Sequence, residues 1–320
     1  MINLLIMKFK KPKFWDYEKP NFFSYFLLPI SFLLLILNYL RTITLRGTEK
    51  LSIKTICVGN IYLGGTGKTS LSIKINEILN EKKIKSCFIK KYYASQTDEQ
   101  KILENNGKLF KSYKRISAIK EAISNNYQVA ILDDGLQDPS INYDLKFICF
   151  NTINWIGNGL VIPAGPLREN LKNLKKYKHV FLIGNMENLE NIKKIILRIN
   201  PKINIYIGEY KLSNISEFNL QEKFVVFSGI GNHKTFISTL KKSNFEIIKD
   251  IEFPDHYNYS KKDIDEIISI ANQNNCKIIT TEKDFYRLDQ NYTNKIKFVK
   301  SDLKITDQNE LIKTLSKIYE

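Results

Sequence analysis

The sequence has few cysteines and few histidines. Its four cysteines are far apart and include no Cys-x-x-Cys pair, and three histidines occur among 320 residues. This spacing argues against a zinc site and against a disulfide framework, and it is typical of a protein from a reducing cytoplasm. The sequence also has no internal repeat. A chain of this length can bury a large core without disulfides or a structural metal, and it has room for two domains.

Acidic residues are also scarce relative to basic ones. The chain has 33 Asp and Glu against 49 Lys and Arg, a net charge of +16, and the excess is carried mostly by dispersed lysines. Such a charge suits nucleic acid, or an anionic membrane or phosphorylated substrate. The abundance of Lys, Asn and Ile also fits a compositional bias of the genome. Because the sequence has no recognition helix and no aromatic RNA-binding pattern, we expect no nucleic-acid partner.

A long apolar segment lies near the N-terminus. Phe22–Leu40 contains 19 residues without a charge. As a helix it would be roughly 28 Å long, about the hydrocarbon thickness of a bilayer. A cleaved signal peptide is disfavoured because no small-x-small site follows and Arg41 comes at once. A buried core helix is a weaker alternative, and Pro29 leaves open a segment lying in the membrane interface. We expect residues 1–41 to form a basic N-terminus and a helix that anchors the chain to an anionic membrane.

The stretch after this segment predicts a phosphate site. An apolar strand over Leu51–Val58 ends in a glycine-rich turn, and helical spacing begins at Leu71–Asn80. Strand, glycine loop, Lys-Thr and helix form a nucleotide-phosphate loop, in which Lys68 reaches the β- and γ-phosphates and Thr69 can bind Mg²⁺. The alternative is a glycine-rich hairpin followed by a chance Lys-Thr. The predicted phosphate-binding residues are Tyr62, Leu63, Gly64, Gly65, Thr66, Gly67, Lys68 and Thr69.

Apolar strands and helical segments alternate along the rest of the chain. This βα rhythm predicts an α/β fold with a doubly wound parallel sheet of the P-loop NTPase type. A second block starts near Lys223 and predicts a second, smaller α/β domain. We place the domains at 42–215 and 216–320, with the linker within 200–222. The predicted strands after the phosphate loop are 86–89, 129–132, 147–150, 180–183, 224–227, 246–251, 277–281 and 296–299, and the helices are 117–124, 235–242, 263–272 and 309–318.

Two acidic residues follow one of these strands. A P-loop protein that transfers or hydrolyses phosphate needs an acid at the end of a neighbouring strand to hold Mg²⁺. Asp133 follows the apolar run 129–132 and fits that position, and Asp134 could share the metal or orient a water. The alternative is an ordinary strand-ending turn. The predicted Mg²⁺ ligands are Thr69, Asp133 and Asp134.

Phosphoryl transfer to an alcohol also needs a proton acceptor, and cations for the anionic parts of the substrate. Asp98 and Glu99 are candidate bases by their position after the second strand, although such residues are commonly surface acids. Arg168, in the rigid loop 163–169, suits a phosphate, and the alternative is a plain turn with a solvated arginine. His256 has a carboxylate neighbour, but a lone loop histidine is usually structural or solvated.

Several of these stretches together resemble one family, the tetraacyldisaccharide 4'-kinases, which are the lipid A 4'-kinases of Gram-negative bacteria. Singly, only the phosphate loop is distinctive. As a set in the family's order, the stretches span nearly the whole chain and are very specific. The matching stretches are Phe14-Trp15, Leu28–Ser31, Val58–Asn60, Gly64–Thr69, Asp133–Gln137, Pro163–Glu169, Phe227–Asn232, Phe253–His256 and Thr280–Asp284.

The resemblance implies transfer of the ATP γ-phosphate to the 4'-hydroxyl of a disaccharide 1-phosphate lipid, with Mg²⁺, at the cytoplasmic face of the inner membrane. It also implies a P-loop α/β/α domain with an N-terminal membrane helix, and an active site between this domain and a smaller one. Asp98 matches the catalytic aspartate of the family's Gly-Asp-Glu motif, and His256 matches its partner. Lys68 is the third predicted catalytic residue, and we expect a monomer. The predicted substrate-binding residues are Glu99, Arg168 and Glu169.

The chain departs from the usual patterns in four places. A strict phosphate loop has glycine where this chain has Tyr62, but the family does not require it. The family's Ser-Arg-Gly-Tyr-Gly stretch is replaced by Lys90–Ala94 and a shortened loop. Thr97 stands at the first glycine of Gly-Asp-Glu. Asp138 replaces a histidine, and it adds negative charge near the predicted metal.

The competing interpretation is a membrane-associated P-loop ATPase or GTPase switch. A GTPase would need an Asn-Lys-x-Asp motif, which the sequence lacks, and Glu282-Lys283-Asp284 has the wrong order. An ATPase switch would hydrolyse ATP without needing a glycolipid. The two interpretations therefore differ in whether a lipid receives the phosphate.

Overall fold

The structure is a computed structural model that describes residues 11–45, 51–93, 97–184 and 186–319. Residues 1–10 of the predicted basic N-terminus lie outside the described residues, and so does Ala94. The strands are β1 (Lys54–Gly59), β2 (Ser86–Lys91), β3 (Leu109–Ser112), β4 (Val129–Asp133), β5 (Leu145–Asn151), β6 (His179–Ile183), β7 (Asn204–Leu212), β8 (Lys223–Ser228), β9 (Glu246–Glu252), β10 (Lys277–Thr281), β11 (Ile296–Val299) and β12 (Ser301–Ile305). The α-helices are α1 (Phe22–Thr44), α2 (Lys68–Glu81), α3 (Thr97–Asn106), α4 (Arg115–Ser124), α5 (Leu189–Ile199), α6 (His233–Lys242), α7 (Lys261–Gln273), α8 (Glu282–Phe285) and α9 (Gln308–Ser316).

Eight strands form the main sheet, in the order β12-β7-β6-β5-β1-β4-β2-β3. Strand β12 runs antiparallel to β7, and the other neighbours in this sheet are parallel. Every residue of β4 and β6 is buried. Strands covered by helices on both faces consist of continuous apolar runs, which is the pattern that the sequence shows. The predicted doubly wound α/β sheet is confirmed.

Strand β1 lies in the middle of this sheet, between β4 and β5. Val58 is level with Asp133 on β4, and Ile89 of β2 is level with Leu132 on β4. Parallel strands bring their carboxyl ends to the same edge of the sheet, where ligands bind in doubly wound folds. The segments that follow β1, β2 and β4 therefore meet at one edge.

The second sheet contains four parallel strands in the order β11-β10-β8-β9. Strand β8 shows why this sheet is covered on both faces. Phe224 and Val226 pack in a cluster with α6, whereas Val225 and Phe227 pack in a cluster with α7. Successive side chains of a strand point to opposite faces, so one apolar run serves two layers. The predicted smaller α/β unit is present.

The chain returns to the main sheet at its carboxyl end. Strand β12 pairs with β7, and Leu311 and Leu315 of α9 are buried in the main core. Residues 216–320, predicted to form the second unit, therefore contribute to both sheets, and β7 lies within the range 200–222 that the sequence predicts to contain the linker. In β12 only Leu303 and Ile305 are buried, so this half-exposed edge strand has too little apolar sequence to predict.

Helix α1 contacts the rest of the protein through two serines and through Leu35, which packs against Tyr62, Val161 and Leu167. Its two buried residues, Ser24 and Ser31, are seven positions apart and therefore on one face of the helix. Ser31 Oγ donates to the Val161 carbonyl at 2.8 Å, and Asn158 Nδ2 donates to Ser24 Oγ at 3.0 Å. The helix has 23 residues and is long and apolar enough to cross a membrane. Of its most apolar 18 residues, 11% are buried. This low burial contradicts the core-helix alternative.

Candidate active site

A cleft of about 2210 Å³ lies between the carboxyl edge of the main sheet and the second sheet. The phosphate loop, Asp134 and Arg168 line one wall, and His256 and Lys283 line the other. The cleft continues to Lys11 and to helix α1, whose residues Leu34, Leu35, Asn38 and Arg41 line it. Polar groups for phosphate chemistry and an apolar helix thus border one space.

The phosphate loop has the backbone of an anion cradle. Gly67, with φ of +78°, directly precedes Lys68, the first residue of α2. This left-handed φ favours glycine, and a Cβ at Gly67 would make a tight contact of 3.0 Å with Ile183 Cγ2. The first N–H groups of a helix have no partner within the helix, and they can bind phosphate. Lys68 and Thr69 stand at this helix start, as the sequence predicted.

Asn60 holds the loop in shape, a role that the sequence analysis missed. Its side-chain amide donates to Thr66 Oγ1 at 2.9 Å and to the Gly64 carbonyl at 3.3 Å. The backbone carbonyl of Asn60 accepts a hydrogen bond from Gln137 Nε2 at 2.8 Å. Thr66 is therefore buried as a support of the loop, with its hydroxyl bound to Asn60.

Tyr62 is part of the loop, but its side chain is directed to the N-terminal segment. The ring is 1% exposed, and its hydroxyl contacts Lys11 and Asp16. Burial, and then the negative charge of Asp16, raise the pKa of Tyr62 above its ordinary value. Next to it, Leu63 N–H donates to the Pro166 carbonyl at 2.8 Å. The residue in place of the usual glycine thus links the phosphate loop to the segment before α1.

The predicted metal ligands Thr69 and Asp133 come together. Thr69 Oγ1 lies 3.4 Å from Asp133 Oδ2. Asp133 is 1% exposed, and its Oδ1 is buried with no hydrogen-bond partner among the described residues. Lys90 Nζ, which the sequence analysis did not assign to the site, lies 2.6 Å from Asp133 Oδ2. A carboxylate oxygen without a partner, beside a threonine hydroxyl, fits a Mg²⁺ shell that nucleotide phosphates complete.

Asp134 has other partners than the predicted metal. Its Oδ1 lies 2.9 Å from Arg168 and 3.8 Å from Lys68. Burial raises the pKa of Asp134, but the charges of Arg168 and Lys68 outweigh it and hold the pKa well below its ordinary value. The arginine also contacts Gln137 at 2.9 Å. Asp134 therefore positions two cations at the mouth of the phosphate loop.

Asp98 and His256 meet across the cleft. Asp98 is at the start of α3, and His256 is in the loop after β9, with φ of +56°. Their Oδ1 and Nδ1 atoms are 3.4 Å apart. Burial lowers the pKa of His256, but the hydrogen bond with Asp98 and the nearby carboxylates raise it above its ordinary value. The structure thus brings together two predicted residues that are 158 positions apart in the sequence.

Glu99 lies within a chain of alternating charges. Its Oε2 is 2.6 Å from Lys90, and its Oε1 is 3.0 Å from Lys283 of α8. Burial raises the pKa of Glu99, but Lys283 and Lys90 outweigh it and keep the pKa well below its ordinary value. Because Lys90 also binds Asp133, one lysine joins the metal side of the site to the residue beside Asp98.

Glu169 and Asp138, which the sequence also singled out, have partners close to them. Glu169 accepts hydrogen bonds from Asn173 at 2.7 Å and Tyr177 at 3.1 Å, so its carboxylate is occupied in fixing its own loop. Asp138 lies 3.1 Å from Arg115. The expected extra negative charge near the metal is therefore paired with a cation.

Comparisons with known proteins agree with one another. The family model for tetraacyldisaccharide-1-P 4'-kinase matches residues 23–320. The tetraacyldisaccharide 4'-kinase of Pelagibacter ubique is 57% identical over 314 residues, which cover 98% of this chain and 99% of that protein. That of Rickettsia canadensis is 33% identical over 324 residues, which cover 96% of each chain.

A solved structure has the same fold. The crystal structure of the "apo" form of LpxK from Aquifex aeolicus in complex with ATP has a TM-score of 0.67 and 22% identity, and the match covers 93% of this chain and 99% of that one. At this identity the likeness concerns the fold. Family model, full-length relatives and fold together show that the chain belongs to the tetraacyldisaccharide-1-phosphate 4'-kinase family, the lipid A 4'-kinases.

Proposed function

We propose that this chain transfers the γ-phosphate of ATP to the 4'-hydroxyl of a tetraacyldisaccharide 1-phosphate lipid at the cytoplasmic face of a bacterial inner membrane. The observation that carries the proposal is the Asp98–His256 pair, 3.4 Å apart, whose histidine lines the cleft that also contains the phosphate loop. A phosphate cradle alone is shared by many nucleotide-binding proteins. A buried acid in contact with a histidine that lines the same cleft is what an acceptor hydroxyl needs.

Asp98 would orient the sugar hydroxyl and take its proton as the new P–O bond forms. His256, whose Nδ1 is 3.4 Å from Asp98 Oδ1, would hold the carboxylate in place. Asp98 is on α3 of the first unit and His256 follows β9 of the second, so the pair is complete only when the second unit, which we propose to be a separate domain, lies closed on the first. Closure would thereby keep water from the γ-phosphate until the acceptor is bound.

Lys68 and Arg168 would stabilise the transferred phosphoryl group. Both cations are anchored on the Asp134 carboxylate, so they are positioned before the reaction begins, and such preorganised charges stabilise a transition state strongly. Mg²⁺ bound to ATP would neutralise charge on the phosphate oxygens, with Thr69 and Asp133 as its protein ligands. No group of three or more metal-ligating side chains occurs in the described part of the chain. Mg²⁺ would accordingly share its ligands with the nucleotide.

The decisive experiment supplies purified enzyme with γ-labelled ATP and a disaccharide 1-phosphate lipid in mixed micelles. We expect label on the lipid only when Mg²⁺ is present. Release of inorganic phosphate without labelled lipid would instead support an ATPase switch. An acceptor with its 4'-hydroxyl already phosphorylated serves as the control, since it leaves no group to receive label.

Helix α1 is proposed to sit in the membrane and to place the cleft at its surface. Its apolar side chains are exposed, including Phe22 at 77%, Phe26 at 72% and Phe32 at 66%. Contiguous exposed apolar surface of this kind marks a membrane or partner site. Since the cleft reaches Leu34 and Leu35 on the same helix, a lipid could keep its acyl chains in the bilayer while its sugar enters the cleft.

Flotation with anionic phospholipid vesicles tests this placement. The intact chain is expected to float with the vesicles. A variant with Phe22, Phe26 and Phe32 changed to serine is expected to remain largely at the bottom, because it loses three strongly exposed aromatic side chains of the helix. Serine at the exposed Tyr113 is the matched control and should leave flotation unchanged. Equal flotation of the triple variant would contradict the role of α1.

A further inference from the structure

Arg287 occupies a place at the site that the proposed mechanism has not used. It lies in the turn after α8 of the second unit, and its side chain is 7% exposed. One guanidinium nitrogen donates to Oδ2 of Asp98, the oxygen that does not face His256. Asp98 itself is 2% exposed. Both oxygens of this buried carboxylate are thus contacted by groups from the second unit.

The second unit fixes Arg287 independently of Asp98. The other terminal nitrogen donates to the Gly229 carbonyl at 2.7 Å and to Asp284 Oδ1 at 2.9 Å. Asp284 is fully buried, and its carboxylate also accepts from Gly229 N–H at 3.0 Å, Tyr259 at 2.8 Å and Thr281 at 2.6 Å. A guanidinium held on two sides by a satisfied network is rigid, unlike a solvated arginine.

We propose that Arg287 is a positioning residue for the catalytic base: it fixes the Asp98 carboxylate in its charged form and in the orientation that accepts the substrate proton. This inference rests on the proposed role of Asp98. Arg287 holds one oxygen, so the carboxylate cannot rotate, and the oxygen beside His256 is the one left to face the acceptor hydroxyl. Because the guanidinium is always charged, it acts at any working pH.

The charges around Asp98 explain why this arginine matters. Cations facing the carboxylate are Arg287, His256 and Lys283, and the nearby anions are Glu99, Asp255 and Asp284. Burial raises the pKa of Asp98. The hydrogen bond from His256 and the charge of Arg287 outweigh burial and hold the pKa well below its ordinary value. Loss of Arg287 would leave a buried carboxylate with less compensation, so its pKa would rise.

Arg287→Met and Arg287→Lys test the inference in the lipid kinase assay. Arg287→Met is expected to lower kcat on the order of 10²-fold, the loss typical of a misplaced catalytic group, with the KM for ATP little changed. The acid limb of the kcat profile should move to higher pH, because a protonated Asp98 cannot accept a proton. Arg287→Lys keeps the charge and should restore part of kcat and most of the pH profile. Arg198→Met, at an exposed arginine of α5, is the matched control.

Thermal unfolding separates this role from a structural one. A purely structural contact between the units would lower the melting temperature and leave the pH profile of the remaining activity in place, and that result would overturn the inference. So would an unchanged kcat. If the methionine variant does not fold, Arg287→Lys must still show a smaller displacement of the acid limb. Failure of the proposed function is distinguishable, because the parent enzyme would then label no lipid.

Discussion

Replacing Asp98 with asparagine is expected to lower kcat for lipid phosphorylation by a factor on the order of 10²–10⁴, the contribution of a positioned acid or base. Asparagine keeps the size of the side chain and removes the charge that takes the proton. The KM for ATP should change little, because the phosphate loop is built by Gly64–Thr69 and does not include α3. Steady-state kinetics with both substrates varied will measure the two parameters separately.

His256→Gln should cause a loss of similar size, and the double variant should lose little more than the worse single variant. Residues that act as a unit show such non-additivity, since either change alone already disables the pair. The atoms concerned are 3.4 Å apart, well within the range of direct coupling. If the fold-losses in kcat of the two single variants multiplied in the double variant, Asp98 and His256 would act separately. A kcat within a few-fold of the parent in both single variants would exclude the pair as the catalytic base.

The Asp98–His256 contact can also be tested by a measurement that does not depend on catalysis. Asp98 is one of the groups that raise the pKa of His256, so Asp98→Asn should bring that pKa down towards its ordinary value. The chain has three histidines, which makes the imidazole signals assignable by NMR with His256→Gln as reference. Glu104→Gln, at an exposed acid of the same helix, is the matched control and should change neither the histidine pKa nor kcat.

The sequence predicted the central strands because their environment is uniform. Strands β1, β4 and β6 are covered on both faces and read as unbroken apolar runs. Strands β3, β7 and β12, and helices α3 and α5, were not predicted. Most of these lie at sheet edges or on the surface, where alternate positions face water and the apolar signal is halved. Pairing of β12 with β7 joins segments 89 residues apart at its register of Ser301 with Leu212 and needs tertiary structure to be known.

The site was predictable where chemistry lies in local sequence. Glycine spacing identified Gly67 and its neighbours, and a strand end identified Asp133. Lys90, Lys283 and Arg287 were missed, because an ion pair between distant segments leaves no local pattern. Each of these cations forms an ion pair with a carboxylate that the sequence did identify. A buried acid requires a compensating charge, so predicted acids imply such partners without indicating which residues they are.

Asp133→Asn is expected to lower kcat/KM for ATP on the order of 10²-fold and to raise the Mg²⁺ concentration needed for half-maximal activity. The buried Oδ1 has no partner among the described residues, and Oδ2 is near Thr69 and Lys90. An amide replaces one of these oxygens with an NH₂ group, which cannot bind a cation. Titration of Mn²⁺ into enzyme with a non-hydrolysable ATP analogue gives the metal affinity directly, independently of turnover.

Asp134→Asn is the matched control, one residue further along the chain. Its carboxylate is paired with Arg168 and Lys68, so removing its charge should loosen these cations and raise the KM for ATP while the Mn²⁺ affinity stays near that of the parent. Thermal unfolding of both variants checks the fold, since Asp133→Asn leaves Lys90 with Glu99 as its remaining carboxylate partner. A metal defect in Asp134→Asn and none in Asp133→Asn would reverse the assignment. Neighbouring aspartates of one turn would then have exchanged the roles that their contacts indicate.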